Sequence, residues 1–341
     1  MNNTYQAMQV TRPGRLEQVE RTLPEPAPGE VLIKVEACGI CGADSGVIEG
    51  REKGVDYPRV PGHEVVGTIC KIADALPGWL KPGQRVGVGR LGGHCHACEQ
   101  CRLGHFNLCQ NQPVTGSSRD GGYAEYMLAR ATGLVTIPDD LSSVEAAPLL
   151  CAGIATFNAL KKSTAQAGDT VVIQGVGGLG HLALQYARKM GFRVIAVGRG
   201  EDIAAEVMRL GAHHYIDTHH HDPVAAIKSL GGAQVILSTL TDSAAVAALL
   251  PALVPQGQLM VVGVGQESLA LTPGLMVGRE LSVRGAITGT PRELEKALDF
   301  SLLADVRAMI ETMPLAKAQE AWQKMRSGEA KFRMVLTMEK A

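Results

Sequence analysis

The sequence predicts an α/β protein of two domains, one β-rich and one built on a doubly wound parallel sheet. Three observations carry this reading. Short alternating strands bounded by Gly and Pro pairs fill the residues before Pro138, strand and helix alternate after it, and a glycine-rich turn joins a strand to a helix within that alternation.

The length of 341 residues, with 45% hydrophobic and 20% charged residues, is enough for that architecture and a sizeable core. The 33 basic and 34 acidic residues leave a formal net charge of −1, which offers no electrostatic footprint for nucleic acid or an anionic membrane surface. Small ligands, neutral or carried by a cofactor, are expected instead. Residues 1–10 lack the basic start and apolar run of a secretory signal, and no stretch of ~18 uncharged apolar residues occurs. A cytoplasmic location is expected, where thiols stay reduced and clustered cysteines mean metal.

Residues 30–37 carry β-branched side chains in near alternation and read as a strand of an antiparallel, half-exposed sheet. Residues 65–72, 85–88 and 123–128 read as further strands, punctuated by Pro61-Gly62, Pro82-Gly83 and Gly121-Gly122. Residues 141–160 are Ala-rich and helix-prone, starting near Ser142-Ser143 with Glu145 in the first turn. Strands follow at 170–174, 193–197, 215–216, 235–238, 259–264 and 281–286, with helices at 179–190 and 203–210 between the first of them. Such alternation builds right-handed βαβ units. Helices at 291–303 and 316–327 and a strand at 332–338 close the chain. Five of the ten histidines, His213, His214, His219, His220 and His221, fall in one stretch that reads as a solvated loop rather than an adventitious metal site.

Cys95, Cys98, Cys101 and Cys109 form a Cys-x2-Cys-x2-Cys-x7-Cys run within residues 92–110. Four thiolates so spaced match a tetrahedral Zn²⁺ with no open position, which makes the site structural. Disulfides are the competing reading, and a reducing compartment disfavours them.

Gly175-Val176-Gly177-Gly178-Leu179-Gly180 follows the apolar strand at 170–174 and opens a helix, the context required of a dinucleotide fingerprint. Its glycines let the backbone approach a pyrophosphate held at the helix N-terminus, where unpaired N–H groups favour negative charge. The second strand ends in Gly198-Arg199-Gly200. No acid stands there to hold a ribose 2′-hydroxyl; Gly198 leaves room, and the Arg199 guanidinium suits a 2′-phosphate. NADP(H) is therefore expected over NAD(H), the alternative being that Arg199 only stacks on adenine or faces solvent while Glu201 or Asp202 reaches the ribose. Val264, at the end of the strand expected at 259–264, and Leu179 complete the expected cofactor contacts.

Cys38, Cys41, Cys70 and Cys151 remain. Cys38-Gly39-Ile40-Cys41 follows a strand, Gly62-His63-Glu64 precedes another, and Cys151 stands beside Ala152-Gly153. Two thiolates and one imidazole would leave a fourth zinc position free for water or substrate, the arrangement of a Lewis-acid site. Spacing alone does not assemble these residues.

Over nearly its whole length the chain resembles the zinc-dependent medium-chain alcohol dehydrogenases, and within them the bacterial members similar to cinnamyl alcohol dehydrogenase. The resemblance rests on Cys38-Gly39-Ile40-Cys41-Gly42-Ala43-Asp44, Pro61-Gly62-His63-Glu64-Val65-Val66-Gly67, the four-Cys run, Asp120-Gly121-Gly122-Tyr123-Ala124-Glu125-Tyr126, Pro148-Leu149-Leu150-Cys151-Ala152-Gly153, the glycine fingerprint and Lys331-Phe332-Arg333-Met334-Val335-Leu336. It implies a GroES-like catalytic domain over 1–152 and 287–341 and a Rossmann domain over 153–286. It implies two Zn²⁺ per chain, the catalytic one on Cys41, His63 and Cys151, with Glu64 near enough to be a transient ligand. It further implies that Asp44 orients His63, that Arg333 reaches the cofactor pyrophosphate, and that Cys38 and Cys70 are small buried hydrophobes. A small alcohol or aldehyde is the implied substrate, and a homodimer or homotetramer the implied assembly.

The chain departs from the family pattern at several places. Ala43 stands where Ser or Thr commonly begins a proton relay, Gly46 where some members use His, Ala155 where a Thr often touches the nicotinamide, and Leu91 where an aromatic residue often narrows the substrate channel. Water is expected to fill the space beside Ala43, and the pocket to be open and aliphatic. These departures keep two other readings in view: a polyol or amino-alcohol dehydrogenase, and a low-turnover sensor of nicotinamide redox state that binds zinc and NADP(H).

Overall fold

The computed structural model describes residues 3–74, 76 and 78–338. The chain divides into two compact units, Met1–Ile154 with Gly289–Ala341 and Ala155–Thr288.

In the first unit the strand Glu30–Ile40 pairs antiparallel with Val65–Ile72, Arg333–Thr337 and Tyr126–Arg130, and the sheet continues through Arg85–Val88 to Leu134–Thr136. Over residues 30–37 the strand is half-exposed as expected, with Lys34 exposed and Glu30 and Glu36 partly so, but it runs on to Ile40 and its end is fully covered. Ala37, Cys38, Gly39 and Ile40 are all buried where the strand pairs with Arg333–Thr337, and Ser143 Oγ donates to the neighbouring Glu36 Oε2 at 2.5 Å. The hairpin Thr4–Arg12 and Arg15–Thr22 was not expected: its first strand buries Tyr5, Ala7, Met8 and Val10 in near alternation, but the second, rich in Glu, Gln and Arg, buries only Leu16. Residues 123–125 lie outside the strand expected at 123–128, which runs Tyr126–Arg130, and Tyr123 is wholly buried.

The single helix expected at 141–160 is broken. A helix at Ser143–Ala146 passes into a 3₁₀ turn at Ala147–Leu150, and a second helix begins at Ala152. The Ser142–Glu145 capping box fixes the start. Pro148 cannot donate to the ladder, and the break leaves Cys151 at φ −129° and ψ −72° with its side chain free to turn away from a helix face.

The second unit holds a six-stranded, wholly parallel sheet. In space the strands run His214–Asp217, Arg193–Gly198, Thr170–Gln174, Ala233–Ser238, Leu253–Val261 and Ser282–Gly285. That is third, second, first, fourth, fifth, sixth, the order of a dinucleotide-binding doubly wound sheet. Covered on both faces, its central strands are apolar runs in which Val171, Val172, Ile173, Ile195, Ile236 and Leu237 are all buried. The fifth strand begins and ends earlier than expected, so Val264 lies beyond it, 80% exposed. Among the described residues no single helix is long and apolar enough to cross a membrane.

Candidate active site

Cys41 directly follows the central strand Glu30–Ile40, His63 and Glu64 directly precede Val65–Ile72, and Cys151 sits in the helix break, all within the first unit. Antiparallel pairing of the two strands brings Cys38 opposite Val65, so the residues that flank those positions converge. The ligand-capable atoms of Cys41, His63, Glu64 and Cys151 all lie within 4.8 Å of one another. Cys41 Sγ and Cys151 Sγ are 4.0 Å apart, too far for a disulfide and close to the ~3.8 Å that separates two sulfurs on one tetrahedral zinc.

Asp44, itself buried, organises the cluster. Its Oδ2 accepts the Cys41 N–H at 2.9 Å and the Tyr123 hydroxyl at 3.1 Å. Its Oδ1 lies 2.8 Å from His63 Nδ1. His63 Nε2 is buried and has no hydrogen-bond partner among the described residues. An unpaired buried imidazole nitrogen beside two thiols is costly unless something accepts it.

The charges point the same way. The hydrogen bond with Cys151 holds the Cys41 thiol well below its usual range, helped by His63 and Arg333 against the effect of burial. Burial works to lower the His63 imidazole, yet Asp44 and the Cys41 sulfur push it up to about 10. Burial raises Glu64 to about 7 against the pull of Arg333. Beside the lowered Cys41 thiol the Cys151 thiol is pushed up by its bond with Cys41 and by burial, as two sulfurs competing for one charge would be, and the two thiols and one imidazole gathered in a dry space suit a bound dication.

Cys95, Cys98, Cys101 and Cys109 also converge within 4.8 Å. Sγ–Sγ distances of 4.0 Å for Cys95–Cys101 and 3.9 Å for Cys98–Cys109 again match tetrahedral edges, and all eight cysteines are unbridged. The Asn111 amide and the backbone N–H groups of Cys98 and Ala97 hold the Cys95 thiol down at about 5. Cys38 is buried as expected, but Cys70 is exposed, since it falls on the outward side of the strand Val65–Ile72.

In the second unit the three fingerprint glycines each meet a different demand. Gly175 takes φ +93°, a region L side chains rarely adopt. A Cβ on Gly177 would meet nothing within 4 Å, leaving the backbone open to a ligand, and one on Gly180 would lie 1.9 Å from the Gly175 carbonyl oxygen, so the helix packs against the turn only without it. The helix opens at Gly180, with Leu179 as its N-cap.

A family model of the alcohol dehydrogenase GroES-like domain matches residues 27–139, and one of zinc-binding dehydrogenases matches residues 178–302. The alcohol dehydrogenase patD of Penicillium expansum is 41% identical over 95% of this chain and 94% of its own length. The chain belongs to the zinc-dependent medium-chain alcohol dehydrogenases. The cinnamyl alcohol dehydrogenase SbCAD4 of Sorghum bicolor superimposes with a TM-score of 0.89 at 28% identity, over 99% of this chain and 100% of that one. CAD from Helicobacter pylori, solved in complex with NADP(H), gives a TM-score of 0.88 at 26% identity, over 100% of both chains.

As an alcohol dehydrogenase the chain is an oxidoreductase acting on alcohols, with a GroES-like domain and a Rossmann-type domain. Ala43 is half-buried and offers no hydroxyl. The nearby Ser45 hydroxyl is engaged, accepting the Trp322 Nε1–H at 3.0 Å. Arg333, expected at the cofactor pyrophosphate, lies on the strand Arg333–Thr337 with its Nη2 on the Glu64 carboxylate. Arg199 is exposed, past the end of its strand. Sequence reasoning did not assign Tyr123, Trp322 or Gly39. Tyr123 and Gly39 both stand within motifs that carry the family resemblance, whereas the role of Trp322 arises only from tertiary contact.

Proposed function

We propose that this alcohol dehydrogenase transfers hydride between a primary alcohol or aldehyde and NADP(H). A catalytic zinc would be held by Cys41, His63 and Cys151, with Glu64 beside it. A second, structural zinc would be held by Cys95, Cys98, Cys101 and Cys109. The first unit would be the catalytic domain and the second the cofactor domain. The observation that carries the reading is the buried convergence of Cys41, His63 and Cys151 around a His63 Nε2 with no hydrogen-bond partner among the described residues. When bound, zinc would supply Lewis acidity toward the substrate oxygen, and the nicotinamide would supply the hydride acceptor or donor.

The protein's own groups do the rest. Asp44, set against Nδ1, turns His63 so that Nε2 is the free nitrogen, and its bond to the Cys41 amide fixes the thiol that follows the strand. Arg333 offsets the Glu64 charge, so the carboxylate can stay within the cluster without an unpaired negative charge. Ala43 has no hydroxyl with which to move a proton, and water beside it is the proposed carrier of the alcohol proton. The glycine turn admits a pyrophosphate to the N-terminus of the helix Gly180–Lys189. Gly198 and the exposed Arg199 favour a 2′-phosphate, a preference also supported by the NADP(H) complex of the Helicobacter pylori relative.

The test is steady-state turnover of the purified enzyme with NADPH and NADH on alcohol, polyol and aldehyde panels, with zinc counted on the same sample. Two firmly held zinc ions and aldehyde reduction faster with NADPH are expected. Turnover confined to polyols or amino alcohols would move the substrate class, and tight NADPH binding without any turnover would turn the reading to a redox sensor.

A further inference from the structure

We infer that Glu201, Asp217 and His220 form a separate divalent-metal site at the carboxyl edge of the parallel sheet. The inference stands apart from the catalytic reading, because it uses neither cysteine cluster.

Topology brings the three residues together. The strands Arg193–Gly198 and His214–Asp217 are parallel neighbours with Asp217 opposite Gly198, so the segments that follow them emerge side by side. One segment carries Glu201 and the other His219, His220 and His221. The ligand-capable atoms of Glu201, Asp217 and His220 lie within 4.8 Å of one another. His220 Nε2 is 3.8 Å from Asp217 Oδ2, and His219 Nδ1 is 3.9 Å from Oδ1.

A cluster of acids and histidines on a surface is common without a metal, and the deciding observation is the state of Asp217. Its residue is only 4% exposed. Oδ1 is fully used, accepting the Gly200 N–H at 2.8 Å and the His219 N–H at 3.0 Å. Oδ2 is buried and has no hydrogen-bond partner among the described residues, while it faces His220. A carboxylate oxygen held in place by its twin and left bare is a costly arrangement that a cation relieves. Glu201 and His220 are exposed and can close on that cation from the solvent side.

The donors set the class of metal. One imidazole and two carboxylates suit zinc and the neighbouring first-row dications, whereas magnesium and calcium prefer an all-oxygen shell. Three protein ligands leave a position for water. With no thiolate and two exposed ligands, the site should bind more weakly than either cysteine cluster and lose its ion on dialysis. It also gives the histidine-rich stretch a specific reading, in which His220 is a ligand and His221 is not.

The experiment is equilibrium dialysis of the tag-free enzyme, with both cysteine clusters zinc-loaded, against rising free zinc. The wild type and His221→Ala should each take up one further zinc ion per chain with the same affinity, while His220→Ala and Glu201→Gln should bind it at least tenfold more weakly. A zinc-dependent rise in Tm should follow the same division. No further zinc at millimolar concentration, equal uptake by His220→Ala and Glu201→Gln, or a loss in His221→Ala as large as in His220→Ala would each overturn the site.

Discussion

Arg333 Nη2 straddles the carboxylate of Glu64, 2.5 Å from Oε1 and 2.6 Å from Oε2, with both side chains withdrawn from solvent. The two residues are 269 positions apart in the chain. The pair ties the last strand to the residue beside His63, and a second fit holds it there. A Cβ on Gly39 would lie 1.9 Å from Glu64 Oε2, while the Gly39 N–H donates to the Glu64 carbonyl at 3.0 Å.

Gly39→Ala should therefore displace Glu64 and with it His63. Overpacking of this kind costs about 1–3 kcal/mol, and Arg333→Met, which strands a buried carboxylate, about 3–5 kcal/mol. Urea unfolding of both variants checks the order, and equal stability of Arg333→Met and wild type would show that the pair does not hold the site.

Asp44→Asn keeps the shape but removes the charge that faces His63 Nδ1. Loss of such a partner weakens metal binding by roughly 10–100-fold. Chelator competition should show that shift for zinc. Tyr123→Phe, which removes only one hydrogen bond to Asp44, should leave the affinity within a few-fold of wild type.

At Ala43 a hydroxyl should help. If water now carries the proton, Ala43→Ser should raise the rate of alcohol oxidation, within the ~10²–10⁴-fold that general acid–base catalysis can supply, and move its pH profile. An unchanged rate and profile would remove proton transfer at this position as a limit.

Arg199→Ala tests the cofactor reading. The kcat/KM for NADPH should fall tenfold or more, a loss of ~1.4 kcal/mol or greater, while the value for NADH stays put. Equal losses for both cofactors would place Arg199 on a part that they share.

What could be read from the chain, and what could not, follows from where each signal is stored. The parallel strands at Thr170–Gln174 and Arg193–Gly198 are legible because burial on both faces demands continuous apolar runs, and the turn after the first because Gly175 and Gly180 stand where a side chain does not fit. The four-Cys lobe is local, so its spacing speaks directly. Cys41 and Cys151 are 110 positions apart, and nothing short of family resemblance joins them before the fold does. Pro148 stood in the middle of the helix expected at 141–160, yet the break it helps to make was not foreseen. The outward side chain of Cys70 and the hairpin Thr4–Thr22 were likewise settled by packing. Asp217 Oδ2 lies bare only because neighbouring amides use the other oxygen, which no pattern of residues records.

The central claim is that Cys41, His63 and Cys151 hold the zinc on which turnover depends. Counting firmly held zinc in dialysed His63→Ala, alongside its rate of alcohol oxidation, tests it most directly. The account predicts a fall from two zinc ions per chain to one, the remaining ion on Cys95, Cys98, Cys101 and Cys109, with alcohol oxidation lost. Two zinc ions and sustained turnover in that variant would contradict it.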